Sequence, residues 1–299
     1  MALPAGLVYV CAVAYFDGGS SWEDLSFVNA FAQVERVDVR LVELYISVLD
    51  GGGHPVEGLT GDDFEVLEDG AAQRLVRFEP VRDRPISVAV LFDTSASMEE
   101  RLPAAREAAG RFLAKILTAK DRATVVAFSE RANSPPAFTD DVPSLIAALA
   151  ALKAGGGTAL YDSLVLTLVH FNGVQGQRAV LLLSDGKDRL SRYRFDDART
   201  LARTSGVAIY AIGLDLARFD IKAKHELGVL ADESGGRSFF LDDVGVLDAV
   251  YAAIETELRS RYLLVYQSPG GGAADAFRAV EVRVARPGVE VKAPAGYFP

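Results

Sequence analysis

Five positions carry oxygen-bearing side chains that one divalent cation could collect: Asp93, Ser95 and Ser97 in LFDTSAS, Thr158 in GGGTALYDS, and Asp185 in LLLSDGKD. A hard cation such as Mg²⁺ takes oxygen ligands at about 2.0–2.1 Å in octahedral geometry and keeps some of its water. Asp-x-Ser-x-Ser suits that demand, because alternate positions of an extended turn point the same way. The three glycines before Thr158 let backbone approach closely. An ordinary reading stands beside the metal one. Ser95 or Ser97 could cap a helix starting near Met98, with Asp93 favoured by the helix dipole, and Thr158 could cap a helix opening at Leu160.

These residues can meet only if their segments end at one edge of a sheet. Ile86 to Phe92 is a continuous apolar run, as in a strand buried on both faces, and Asp93 follows it. Met98 to Leu117 reads as a helix with Leu102, Ala105, Ala109, Phe112, Leu113 and Ile116 on one stripe and Pro103 in its first turns. Strands are expected at Ala123 to Phe128, Ala179 to Leu183, Val207 to Ile212 and Ser238 to Leu241. Helices are expected at Ser144 to Leu152, Leu160 to Phe171, Phe195 to Thr204, Ile221 to Asp232 and Val246 to Leu258. Strands alternating with helices over residues 85–260 predict a doubly wound α/β unit with a mostly parallel sheet and helices on both faces. Asp93 and Asp185 then fall at the C-terminal edge, where such sheets bind ligands.

The flanks differ. Val37, Val39 and Leu41, then Leu44, Ile46 and Val48, alternate at period two; Phe64 to Leu67 and Leu75 to Phe78 follow, separated by the hairpin signal Glu68-Asp69-Gly70. Beyond Arg261, Tyr262 to Tyr266, Val280 to Val284 and Val289 to Val291 return to this pattern, with a Pro269–Gly272 loop between the first two. Neither flank (35–84 or 261–299) has enough strands to stand alone. They are expected to pair, so that the α/β unit is inserted into one β-sandwich. Residues 1–34 admit three readings: a degenerate export signal ending near Ala30-Phe31-Ala32, an extra strand from Leu3 to Phe16, or a misplaced start. The export reading is slightly preferred.

Bulk properties exclude other chemistries. A net charge of -10 over 299 residues without a basic stripe argues against nucleic acid and anionic membranes. No segment reads as transmembrane. Cys11 is the single cysteine, so neither an internal disulfide nor a cysteine-based zinc site is possible. That fits the cytoplasm without excluding export. His54, His170 and His225 are scattered and read as structural. Gly155-Gly156-Gly157 lacks the Lys-Ser/Thr of a phosphate-binding loop. Asp188 and Asp215 read as turn residues rather than groups behind the site. Asp62-Asp63, Asp196-Asp197 and Asp242-Asp243 read as turn and helix-start acids, and Phe239-Phe240 as core. Arg101, Arg106 and Arg111 interleave with Glu99, Glu100 and Glu107 and read as a solvated helix face.

LFDTSAS, GGGTALYDSL and LLLSDGKD resemble the three motifs of the von Willebrand factor A-type (VWA) domain, which form its metal-ion-dependent adhesion site (MIDAS). The likeness covers about Arg84 to Ser260, and the flanks resemble a bacterial subgroup of VWFA-related domain proteins. It implies a Rossmann-like VWA fold in which Ser95, Ser97 and Thr158 bind Mg²⁺ or Mn²⁺ directly or nearly so. Asp93 and Asp185 would then act through water, and an open coordination position would accept an Asp or Glu carboxylate from a protein partner. Ala96 departs from the glycine this family favours. The expected function is thus a non-catalytic, cation-dependent adhesion module. A metal-dependent phosphoryl-transfer or hydrolytic enzyme is the alternative, disfavoured because Ser95 stands where aspartyl phosphatases carry a second acid. A purely structural ion, or one coupled to the sandwich through the last helix, is also open.

Overall fold

A computed structural model describes residues 8–15, 21–28, 40–185, 188–216, 220–269 and 276–298. Two compact units divide the chain, Met1–Val39 and Arg40–Pro299. In the first, β1 (Val8–Tyr15) and β2 (Ser21–Val28) form an antiparallel hairpin with Val8 opposite Val28. The Leu3–Phe16 stretch therefore contributes a strand. Val37, Val39, Ala30-Phe31-Ala32 and Gly270 to Gly272 lie outside the described residues.

The second unit opens with β3 (Arg40–Leu49), β4 (Phe64–Glu68), β5 (Ala71–Gln73) and β6 (Leu75–Pro80). Strand β3 buries Val42, Leu44, Ile46 and Val48 on one face, and the strand's side-chain alternation turns Leu41 outward, 59% exposed, against the inward place expected for it. Asp69 (φ 49°) and Gly70 (φ 80°) make the expected tight turn after Glu68. The turn, however, joins β4 to β5. The Leu75–Pro80 strand instead crosses to another sheet.

Next come β7 (Ile86–Asp93), α1 (Leu102–Ile116), β8 (Arg122–Phe128), α2 (Val142–Ala150), α3 (Leu160–His170) and β9 (Gln177–Ser184). The series ends with α4 (Phe195–Thr204), β10 (Ala208–Leu214), α5 (Ile221–Glu233), β11 (Arg237–Leu241) and α6 (Leu247–Arg259). The five strands are parallel in the order β11-β10-β9-β7-β8. One apolar layer packs Val88, Val90 and Phe92 under α1, α2 and α6; the other packs Ala89 and Leu91 under α3, α4 and α5. Burial on both faces is why β7 reads as an unbroken apolar run. Helix α1 starts four residues later than its pattern suggests, because Ala96–Met98 forms a separate 3-10 turn and Pro103 marks the true first turn.

Finally β12 (Tyr262–Ser268), β13 (Arg278–Val284), β14 (Glu290–Lys292) and β15 (Gly296–Tyr297) return to the first strands. Two antiparallel sheets result, β14-β3-β12-β6 and β15-β13-β4-β5. They share a core that includes Ile46, Phe64, Val66, Tyr262, Leu264 and Val282. The flanks thus pair across the inserted α/β unit, as their strand count demands.

Where the insert joins, buried polar groups are tied into two hydrogen-bonded clusters. Arg261, 2% exposed, donates from Nη2 to Tyr210 Oη (2.8 Å) and from Nε to Ser47 Oγ (3.3 Å). Ser47 and Tyr210 both donate to Glu257 Oε1, at 3.0 and 2.8 Å. Asp121, 1% exposed, accepts from Ile86 N (2.8 Å), Thr118 N (2.9 Å), Thr118 Oγ1 (2.6 Å) and the Arg259 guanidinium. It ties the start of β7, the α1–β8 turn and the end of α6 together. The arginines of α1 are likewise more than a solvated face. Arg111 pairs with Asp248, and Arg106 donates to the Ala150 and Leu152 carbonyls. Phe240 also departs from expectation: it lies on edge strand β11, 38% exposed, rather than in the core.

Candidate functional site

Strands β7 and β9 are neighbours whose connections leave in opposite directions, to β8 and to β10. That reversal opens a crevice beyond their C-terminal ends. Asp93 ends β7, and because Phe92 pairs with Leu183, Ser184 stands beside it and Asp185 follows. Parallel pairing alone brings the two acids to one place.

The remaining residues arrive through backbone contacts between loops. The Thr94 carbonyl accepts from Gly155 N (2.8 Å) and the Gly156 carbonyl from Ala96 N (3.1 Å), so the triglycine loop lies along the DTSAS turn. Gly156 adopts φ 77°, a left-handed conformation costly for residues with a Cβ. Thr94 anchors the turn from behind, donating both N–H (2.7 Å) and Oγ1 (2.8 Å) to the Phe128 carbonyl at the end of β8. The Thr158 carbonyl accepts from Arg189 N (2.9 Å) and Leu190 N (3.0 Å), which draws in the loop after β9. All three predicted segments therefore meet.

Asp93 is fully buried. Its Oδ1 accepts from Ser95 N (2.8 Å) and its Oδ2 from Ser184 Oγ (2.6 Å). Burial lifts its carboxyl above the ordinary range and Asp185 pushes the same way, while hydrogen bonds from Ser184 and Ser95 pull against them. Ser95 and Asp185 are buried, Ser97 is exposed, and the Ser95 and Ser97 hydroxyls lie 3.1 Å apart. Thr158 is 4% exposed, and its hydroxyl makes no hydrogen bond among the described residues.

The capping alternative does not hold. Ser95 precedes the 3-10 turn without a side-chain cap bond, and α1 begins after Arg101, which makes none either. Helix α3 is capped from a distance: Asp188 Oδ1 accepts from Leu160 N (2.8 Å) and from Ser191 Oγ (2.6 Å). Asp162 in turn accepts from Arg192 N and Tyr193 N, both at 2.8 Å. Neither Thr158 nor the two serines spend their hydroxyls on a helix end. The donor set, two carboxylates and three hydroxyls, fits a hard cation, and each Asp93 oxygen keeps a lone pair for a bound water.

Three supporting roles differ from what the sequence favours. Ser184 orients Asp93, and only strand pairing would have revealed it. Asp188 is an N-terminal cap supplied from another loop, closer to the site's scaffolding than a plain turn residue. Arg101 donates to the Ser97 carbonyl (3.0 Å) and pairs with Asp215, itself held at φ 49°, so it braces the exposed rim. The remaining acid pairs behave as expected; Asp63, Asp197 and Asp243 accept from Thr60 N, Arg194 N and Gly245 N. Among the described residues no helix is long and apolar enough to cross a membrane.

Comparisons with known proteins accord with this architecture. No curated protein matches the sequence. Among solved structures, a von Willebrand factor type A protein from Catenulispora acidiphila is 15% identical with a TM-score of 0.52, covering 87% of this chain and 75% of that one. Proximal thread matrix protein 1 from the mussel byssus is 20% identical with a TM-score of 0.51. That match covers 64% of this chain and 51% of the other, so this chain spans about half its length. The PilB minor pilin of Streptococcus sanguinis, as a D319A mutant, is 13% identical with a TM-score of 0.50, covering 80% and 82%. Identities this low speak to the fold alone. The model of the von Willebrand factor type A domain matches residues 87–253, more than half of the 299, and the chain therefore belongs to that family.

Proposed function

We propose that the chain is a non-catalytic, divalent-cation-dependent protein-binding module. Mg²⁺ or Mn²⁺ would be held by Ser95, Ser97 and Thr158, with Asp93 and Asp185 acting through water. The bound ion supplies a positive charge that an Asp or Glu side chain of a partner protein can complete. The observation that carries this reading is the convergence of three loops whose hydroxyls are not consumed by helix capping. The chain's own residues contribute position and field. The Ser95 N–H and the Ser184 hydroxyl fix the Asp93 carboxylate, Thr94 pins the turn to the end of β8, and Asp188 holds the loop after β9 against α3. Two neighbouring acids, one of them deeply desolvated, favour a cation between or beside them.

The test has two stages. Calorimetry should find one Mn²⁺ or Mg²⁺ per chain in wild type and none in Asp93→Ala. Saturation at 100-fold over Kd adds about 2.7 kcal/mol, which raises Tm by about 5–10 °C for a unit of this size. Immobilised acidic peptides are then compared with their amide counterparts, with and without chelator. Retention of the acids alone, and only with metal, is expected. Metal-independent retention, or equal retention of amides, would overturn the reading.

A further inference from the structure

At the opposite edge of the parallel sheet, between β9 and the antiparallel sheets, the fold encloses a second concentration of chemistry. A hollow of about 210 Å³ is lined by Glu43, Tyr45, Gly176, Arg178, Gly206 and Arg261, among others. A neighbouring hollow of about 470 Å³ shares Glu43, Arg178, Gly206 and Pro294 with it and runs on over Leu41, Tyr297 and Phe298. Arg178 stands at the seam between a polar chamber and an apolar one.

Its guanidinium is half-buried and pairs with no carboxylate among the described residues. Burial depresses its basicity, and Glu43 and the Tyr45 hydroxyl act on it only through space. The close seat of Arg178 depends on Gly206, where φ is +63° and a Cβ would lie 2.6 Å from Arg178 Nη2. The Tyr45 hydroxyl is buried and has no hydrogen-bond partner among the described residues. Arg261, the other cation of the chamber, is engaged through Nε and Nη2 by Ser47 and Tyr210, whose hydroxyls link it to Glu257. One desolvated cation and one orphaned hydroxyl thus remain unanswered. Beyond them, Leu41 (59% exposed) and Phe298 (45% exposed) leave an apolar wall open to solvent.

We propose that this cleft binds a carboxylate bearing an apolar tail, the acid pairing with Arg178 and accepting from Tyr45 while the tail lies along Leu41 and Phe298. A guanidinium presents two parallel N–H groups that match a carboxylate. Exposed Glu43 opposes the bound anion and limits its affinity. An occupant would bridge β9 to β3 and so brace the α/β unit against the sheets it is inserted into.

The experiment uses the full chain in metal-free buffer prepared on a chelating resin, so that no cation at the other edge recruits the acid. Thermal melts are followed against hexanoate, acetate, neutral hexanamide and N-acetyl-leucine. Hexanoate should raise Tm, acetate less, and hexanamide not at all. A larger rise with N-acetyl-leucine than with hexanoate would identify the end of a peptide chain as the source, and the reverse a free acid. Arg178→Gln should weaken hexanoate binding about tenfold or more, the usual loss for a hydrogen bond to a charged group. Glu43→Gln should strengthen it, and Leu41→Glu, on an exposed position that folding tolerates, should weaken it. Hexanamide equal to hexanoate, full binding in a folded Arg178→Gln, or no hexanoate effect in wild type would each overturn the proposal.

Discussion

Asp121→Ala is expected to be among the most destabilising single substitutions in the unit. Removing the carboxylate strips an acceptor from Ile86 N, Thr118 N, Thr118 Oγ1 and the Arg259 guanidinium at once. Breaking one side of a buried ion pair costs about 3–5 kcal/mol, and an orphaned buried N–H adds about 1–3 kcal/mol. The Arg259 side chain is 26% exposed and can turn to water, which favours the low end. A loss of about 4 kcal/mol corresponds to a Tm lower by about 8–16 °C. The pH dependence carries a sign. Burial pushes the Asp121 carboxyl up, yet hydrogen bonds from Arg259, Thr118 and Ile86 outweigh it and hold the group below the usual carboxylate range. The unfolded chain therefore binds a proton that the native state refuses. The stabilisation is present above the unfolded value, about 3.9, and is lost as pH falls through the lower native one. Urea melts of wild type and variant at pH 7 should differ by the full amount, and the gap should narrow on acidification below the unfolded carboxylate value. A difference below about 1 kcal/mol at pH 7, or a gap unchanged on acidification, would refute the reasoning.

Thr158→Ala should change metal-free stability by less than about 1 kcal/mol, because the hydroxyl has no partner to lose among the described residues; Mn²⁺ affinity, read by calorimetry, should still fall about tenfold or more. Asp188→Ala should cost about 1–2 kcal/mol, the worth of a helix cap, and hydrogen exchange should accelerate at Leu160 and Asp162. Tyr210→Phe leaves Arg261 Nη2 without its acceptor and Glu257 with one donor fewer, at about 1–3 kcal/mol in denaturant melts.

Much of the candidate site was legible because its signals are local. A continuous apolar run ending in Asp93, and another ending before Asp185, announce strands whose C-terminal ends must share an edge. The triglycine loop before Thr158 carries its own conformational meaning. Ser184 and Asp188 were not legible in the same way, because their roles arise from strand pairing and from a cap donated across 28 residues of chain. The flanks show the same divide. Periodicity predicts β3, β6 and β12, but Leu41, which shares the sequence phase of Val37 and Val39, faces outward in β3. The hairpin turn was readable in Glu68-Asp69-Gly70, whereas its partner, Ala71–Gln73, is too short and too exposed to leave a hydrophobic trace. Capping was the real ambiguity. Ser, Thr and Asp near helix starts are equally suited to ending a helix and to holding an ion, and only the distant contribution of Asp188 separates the two uses.

The position of β12 between β3 and β6 has a consequence for synthesis. Strands β3 and β6 emerge early but do not pair with each other; both wait for residues 262–268, after the whole α/β segment has been made. The five strands of the inserted unit pair only with one another and can assemble before Tyr262 is made, while β3 and β6 remain as open, aggregation-prone edges. A ribosome stalled before Tyr262 would therefore hold a finished insert on an open, adhesive frame. Strands β12 to β15 act less as a tail than as the closing seam.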